Sequence, residues 1–161
     1  MFRPVALAGT LLLSLLVSAA PRSAAAQAKP DFSGTWVLDL AKSDFGMMPA
    51  PISRTDVIDH QEPALTIGRT QKTANGEVTA NLVYAVDGQP YLNDAAGQQV
   101  TSTLAWDGTT LVITSSLTIP QGELSIVDRM TLSEDGKTIT THRTLSVSGQ
   151  EIVQTSVMQK Q

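Results

Sequence analysis

From Phe32 onward, apolar and polar residues alternate in runs that short turn signals separate. Leu111, Ile113, Leu117 and Ile119 share one phase, with Val112, Thr114, Ser116 and Thr118 on the other. Leu124, Ile126, Met130 and Leu132 fall together in the next run, and Ile139, Leu145 and Val147 in the one after. Earlier, Val78, Leu82, Tyr84 and Val86 alternate with Thr79, Asn81, Val83 and Ala85. A period of two sends successive side chains to opposite faces of a strand, so each run predicts a strand with one apolar face. Threonine recurs on the outward phase, where its β-branch suits a solvated pleat.

Asn75-Gly76, Asp87-Gly88, Asp107-Gly108 and Asp135-Gly136 supply the positive-φ positions of tight hairpins, and Gln121-Gly122 and Ser148-Gly149 are weaker forms of that signal. Glycines 108, 122, 136 and 149 are spaced by 14, 14 and 13 residues, as equal strands joined consecutively in a meander would space them. The pattern predicts nine or ten strands: 33–40, 53–60, 63–71, 77–86, 89–92, 98–106, 109–119, 123–132, 137–147 and 151–159. No segment after residue 28 carries a helical stripe. The Pro- and Met-bearing stretch 46–52 reads as a loop, preceded by one helical turn at 41–45. A long meander must cover its apolar face. The expected fold is all-β: an antiparallel up-and-down meander closed into a barrel of about 8–10 strands, with a two-sheet sandwich as the alternative.

The chain before Phe32 is different. Arg3 precedes an apolar run, Val5 to Val17, that only Gly9, Thr10 and Ser14 interrupt, and small residues then lead to Ala26-Gln27-Ala28. This is the pattern of a cleaved secretory signal peptide over residues 1–28. The run is shorter than the roughly 20 residues a membrane helix needs. Cleavage after Ala28 would leave 133 residues, 29–161, enough for one domain with a core.

Removing Arg3 and Arg22 takes the 11 basic residues to nine against 15 acids, a net charge of −6. No basic cluster remains, which argues against nucleic acid or an anionic membrane surface as a partner. Cysteine is absent, so disulfides, thiol chemistry and a lipid-modified Cys are excluded. The signal, which looks bacterial, and the lack of a lipid-anchoring Cys predict a periplasmic or secreted product. A membrane barrel would also alternate. Its aromatic girdles are missing, however: of two Trp, two Tyr and three Phe, all but Phe2 lie after the signal, too few for two belts.

The predicted domain opens Phe32-Ser33-Gly34-Thr35-Trp36-Val37-Leu38, followed by Ser43 and Phe45. This opening resembles the first strand of the calycins (the lipocalins and the intracellular fatty-acid-binding proteins), whose signature is Gly-x-Trp. The resemblance implies a single lipocalin-like barrel over 29–161, with Gly34 letting the chain pass closely under the barrel and Trp36 plugging its closed end. The chain is more similar still to lipocalin-like secreted bacterial proteins, which share this opening and an Asp-Arg-aromatic/Met strand, here Asp128-Arg129-Met130. That family brings no established activity. Two departures matter. Fatty-acid-binding proteins insert a two-helix lid after the first strand, and residues 41–52 are too few for one. Their last strand carries an Arg-x-Tyr pair for a carboxylate, and here Ser156 and Met158 stand at those places.

His60 and His142 have no partner at metal-ligand spacing, and neither a nucleophile elbow nor a phosphate-binding glycine loop is present. His142 lies on the polar phase of its strand and reads as a surface residue; His60 shares a phase with Ile58 at a strand end. No metal, haem or other cofactor is expected. What remains are polar residues in phase with apolar faces: Arg69 after Leu65 and Ile67, Tyr84 after Leu82, Asp128 between Ile126 and Met130, and Arg143 between Ile139 and Leu145. A charge pointing into a barrel must be paired, hydrated or used. Arg143 could pack over Trp36, as an arginine does in lipocalins, or pair with Asp128 on the neighbouring strand, the arrangement we favour.

The candidate ligand-binding residues are therefore Arg69, Tyr84, Asp128 and Arg143, with Gly34 and Trp36 structural and no catalytic residue assigned. The expected function is binding of a small, mostly apolar molecule. A filled structural or protein-interaction barrel comes second. An enzyme using the cavity, through haem or Asp128, comes third, for want of a recognisable catalytic set. Cavity volume separates the first two, since ligand pockets usually exceed about 300 Å³.

Overall fold

The computed structural model describes residues 28–95 and 97–161; the predicted signal peptide lies, but for its last residue, outside the described residues. The alternating runs form ten antiparallel strands: β1 Gly34–Leu38, β2 Ser53–Gln61, β3 Ala64–Thr73, β4 Gly76–Ala85, β5 Tyr91–Ala95, β6 Gln98–Asp107, β7 Thr110–Ile119, β8 Gly122–Leu132, β9 Thr138–Val147 and β10 Gln150–Lys160. The predicted helical turn is a three-residue 3-10 turn at Leu40–Lys42, slightly earlier than expected, and the first strand stops at Leu38 rather than residue 40.

Turn chemistry sets the meander. At Ser148-Gly149 both residues have positive φ, 50° and 79°, as a two-residue type I′ hairpin requires. Serine is unusual there, and its hydroxyl donates to the Gln121 carbonyl at 3.0 Å on the neighbouring hairpin. The sheet order is β4-β3-β2-β1-β10-β9-β8-β7-β6-β5. The first and last strands pair, Trp36 opposite Lys160 and Leu38 opposite Met158, so the meander curls into a nearly closed barrel rather than a sandwich. Beyond β1 the chain keeps tracking β10, through a bridge of Asp44 with Thr155 and a bond from the Val157 N–H to the Ser43 hydroxyl at 3.0 Å.

One seam remains, between β4 and β5, which are neighbours in sequence but not in the ladder. β5 is only five residues long and follows Pro90, which has no N–H to donate. A side chain stands in for the missing ladder. The Asn93 amide accepts from the Val83 N–H at 2.8 Å and donates to the Val83 carbonyl at 3.1 Å.

The core gathers at the end of the barrel where the described chain begins. Phe32, Trp36, Leu65, Leu104, Leu111 and Ile139 are all 0% exposed, and Leu38, Ile58, Met130 and Met158 pack against them. The Trp36 indole donates to the Phe32 carbonyl at 2.9 Å, which fixes the ring across the floor. Gly34 has φ +136°, and a Cβ there would lie 2.7 Å from the Lys160 Cε. The positive φ is what requires glycine, since the flexible end of the Lys160 side chain can move aside.

The cation over Trp36 is Lys160, whose Nζ lies 5.2 Å from the ring centroid. The expectation that Arg143 could cover it is corrected: Arg143 sits four residues beyond Ile139 on β9 and is bonded to Asp128. His142 is exposed and bonds the Thr155 hydroxyl at 3.1 Å, as its phase implied. His60 is part of the floor. It is buried between Phe32 and Trp106, with ring centroids 6.0 and 5.9 Å away.

Candidate functional site

Away from the floor the inward positions become polar. Two Asp–Arg pairs of like construction face the interior. Asp56 lies opposite Arg69 in the β2–β3 register, and Asp128 opposite Arg143 in β8–β9. In each, the guanidinium grips both carboxylate oxygens through Nε and Nη2, at 3.0 and 3.0 Å for Arg69 and 2.7 and 2.7 Å for Arg143. Such fork-to-fork contacts are charge-assisted and fix both planes.

A third guanidinium breaks the symmetry. Arg54, two residues before Asp56 on β2, also bonds that carboxylate, Nε to Oδ1 at 3.0 Å, with Nη2 on Oδ2. Asp56 is 2% exposed, and burial alone would raise its pKa. Arg69 and Arg54 outweigh the burial and hold it far below the ordinary carboxylate range. Arg54 carries the opposite imbalance. Burial and the Arg69 charge together press its pKa below that of a free guanidinium, and Asp56 does not fully offset them. For Arg143, burial also works against the charge, but Asp128 prevails and raises the pKa.

Tyr84, on β4, reaches this polar zone from the apolar side. Burial is the main reason its pKa is pushed up to about 12, so the phenol stays a neutral donor at ordinary pH. Its hydroxyl has no hydrogen-bond partner among the described residues. Ser102 and Ser115, opposite each other on β6 and β7, share a hydroxyl hydrogen bond of 2.8 Å nearby.

These side chains enclose a cavity of about 190 Å³. Arg54, Arg69, Tyr84, Asn93, Asp128 and Arg143 supply its polar wall, and Ile67, Leu82, Val100, Ile113 and Met130 its apolar one. All four residues singled out from the sequence, Arg69, Tyr84, Asp128 and Arg143, line this one space. Gly34 and Trp36 lie at the floor, apart from it.

Sequence reasoning missed Arg54, Asp56, Asn93 and the Ser102–Ser115 pair. A signal for the first two existed, since Arg54, Asp56, Ile58 and His60 share one phase. Val57 beside Ile58 obscured it, because two adjacent apolar residues leave the inward face of β2 ambiguous.

No protein-family model matches the chain, and no curated protein matches it. Solved structures do. Zebrafish ileal bile acid-binding protein, in complex with cholic acid, is 16% identical with a TM-score of 0.55, over 81% of this chain and 98% of that one. Human cRBP IV is 18% identical with a TM-score of 0.52, over 82% and 99%. Apo Caenorhabditis elegans lipid binding protein 8 is 11% identical with a TM-score of 0.57, over 81% and 95%. The fold matches these three barrels, with the 3-10 turn at Leu40–Lys42 as the described helical segment between β1 and β2. At such identities the likeness fixes architecture alone, an antiparallel up-and-down barrel whose first and last strands pair.

Proposed function

We propose that this chain is an exported barrel protein that binds one small, mostly apolar molecule within its interior. The observation that carries the reading is the cavity of about 190 Å³, where an apolar wall faces charged groups and an unengaged phenol. A barrel meant only to be filled would close such a space with aliphatic side chains, since buried charges cost stability that hydrophobic packing would not. The neighbours in fold, among them one complexed with cholic acid, support the same reading. Export rests on the N-terminal sequence: Arg3, the short apolar run and Ala26-Gln27-Ala28.

A second reading is favoured by one specific feature. The cavity lies below the roughly 300 Å³ at which ligand pockets usually begin. It is the space of a barrel partly filled by its own guanidiniums. A structural barrel therefore stands as the rival.

Native mass spectrometry of the purified protein tests both parts. A mass starting at Lys29, with a non-covalent adduct or one formed on adding small amphipathic molecules, is the expected result. A mass retaining residues 5–17 after expression in a secreting host overturns export. Absence of any adduct across such a panel overturns binding in favour of the filled barrel.

A further inference from the structure

We propose that His60 is a proton-operated latch: neutral, it holds residues 29–33 across the barrel floor, and protonated it lets that segment go. The device lies at the floor, apart from the cavity, and does not depend on what the cavity binds.

The segment is fastened chiefly to one residue. Phe32, fully buried, donates its backbone N–H to His60 Nδ1 at 3.3 Å. The His60 N–H donates to the Ser33 hydroxyl at 3.0 Å, and that hydroxyl donates to the His60 carbonyl at 3.3 Å. Further out, Lys29 Nζ donates to the Gly108 carbonyl at 2.6 Å and lies 5.0 Å from the Trp106 ring centroid. The Phe32 carbonyl receives the Trp36 indole N–H at 2.9 Å, so a shift of the segment is passed to the ring that spans the floor.

An amide N–H can only donate, so Nδ1 keeps its lone pair and the proton of the neutral ring sits on Nε2. That nitrogen is buried and has no hydrogen-bond partner among the described residues. Glu62 Oε1 lies 3.5 Å from it but is already engaged by the Trp106 indole N–H at 2.6 Å. Asp31 Oδ1 lies 3.9 Å from Nδ1. The neutral ring thus leaves a carboxylate unused beside each nitrogen. The imidazolium has a donor for both.

Protonation turns Nδ1 from acceptor to donor, and two N–H groups then face each other. A buried amide N–H without an acceptor is costly, so the segment must move until Phe32 finds water. The new charge has its counter-ions in place, which is what makes it attainable at a buried site. Bonds from Ser33, more than the nearby His60, hold Asp31 below the ordinary carboxylate range, so it stays an anion. Lys29 over Trp106 and Lys160 over Trp36 oppose the charge. Asp107, next to Trp106, is paired with Arg129, and Asp59, next to His60, accepts from Gln61. Leu65, opposite His60 on β3, brings no charge.

NMR of the purified protein from pH 8 to pH 5, the interval in which histidine ordinarily changes charge, tests the latch. Phe32 amide protection, corrected for the intrinsic pH dependence of exchange, is expected to fall at least about tenfold, as one buried backbone hydrogen bond is lost. The fall should track the titration of the His60 ring, and amides of β8 and β9 should keep their protection. His142→Gln should leave the transition in place, since His142 is exposed and bonds only the Thr155 hydroxyl. His60→Asn separates anchoring from charge, because its amide oxygen can accept from Phe32 and does not titrate. Protection of Phe32 should then stay level down to pH 5. Should His60→Asn not fold, Glu62→Gln decides: it removes an anion that favours the imidazolium and should move the midpoint of opening to lower pH.

A His60 ring that titrates while Phe32 stays protected overturns the proposal, as does a ring that takes up no proton by pH 5. Loss of protection that persists in His60→Asn, or that vanishes in His142→Gln, overturns it as well, since acid would then be acting elsewhere. A midpoint unmoved by Glu62→Gln counts against it in the same way.

Discussion

The same strands build two interiors. At the floor, β3, β7 and β9 turn Leu65, Leu111 and Ile139 inward, and four residues further along each the inward positions are Arg69, Ser115 and Arg143. On β6 and β8 the change takes two residues, from Leu104 to Ser102 and from Met130 to Asp128. The floor is held by dispersion and apolar burial, which are non-directional and survive small shifts. The polar half is held by paired charges, which are directional and fail when one partner is lost. Non-directional packing is therefore concentrated in the floor and directional charge pairing in the half above it.

The sharpest way to break this division is Trp36→Ala. Burying an aromatic in a core typically contributes about 3–5 kcal/mol, out of about 5–15 for a domain of this size. Trp36 is 0% exposed and spans the floor, so chemical denaturation should show a loss in that range or a failure to accumulate folded protein. Trp106 packs on Phe32 and His60 and donates to Glu62 at 2.6 Å, but is only half-buried. Its replacement by alanine should cost about half as much. A near-neutral Trp36→Ala beside a severe Trp106→Ala would sink the account of the floor.

The next effect belongs to the charged half. Asp56→Ala leaves Arg54 and Arg69 facing each other without a counter-ion, and should cost about 3 kcal/mol, the lower end for breaking a buried pair because the cavity admits water. Asp128→Ala should cost less, since the Arg143 side chain is 30% exposed. Asp56 also sets a pH dependence. Its carboxyl titrates below the ordinary 3.8 when folded, so the unfolded chain binds more protons near that pH. The stability it contributes is complete above about pH 4 and is lost as pH falls below it towards the folded pKa. Urea denaturation across that interval should show a shallower pH slope in Asp56→Asn than in the parent. An unchanged slope would remove Asp56 as the linked group.

A smaller effect tests the seam. Asn93→Ala removes two hydrogen bonds to Val83 and should cost about 1 kcal/mol, since water can partly replace them at a half-exposed strand. Hydrogen exchange is the better readout, because the Val83 amide should lose protection while amides of β8 and β9 keep theirs.

How much of this was legible follows from what period-two patterning encodes. The strands of the second half, β6 to β10, have a glycine at each turn, so their bounds could be read to within a residue, and clean alternation gave the inward phases of β7, β8 and β9 as well. Arg69, Tyr84, Asp128 and Arg143 were found because each sits in phase with unambiguous apolar neighbours. Asp56 and Arg54 were not, because β2 carries Val57 outward beside Ile58 inward. The break between β4 and β5 was also hidden. Asp87-Gly88 signals a tight hairpin, but a side-chain amide replacing ladder bonds leaves no trace in hydropathy. Closure into a barrel was expected because a long meander must cover its apolar face, and the Gly34-x-Trp36 resemblance agreed with it; that β1 and β10 make the pairing is non-local and is written in no local pattern.

The smallest expected effect concerns Lys160 and decides what covers the floor from outside. Its Nζ lies 5.2 Å from the Trp36 ring centroid, and its stem runs where a Cβ on residue 34 would be. Lysine stems cover apolar surface while the ammonium stays in water, so stem and charge can be separated. Lys160→Met keeps most of the stem and removes the charge. An exposed cation over an aromatic face contributes about 0.5–1 kcal/mol, and the loss should fall in that range. Lys160→Ala should cost slightly more, because the indole edge is then uncovered. In a Trp106→Phe background Trp36 is the one tryptophan left, and its fluorescence, excited selectively over tyrosine, should shift in the Lys160 variants and stay fixed in Arg143→Met. A shift on removing Arg143 instead would mean that this arginine, and not Lys160, governs the surroundings of Trp36, and the separation of floor from cavity would no longer hold.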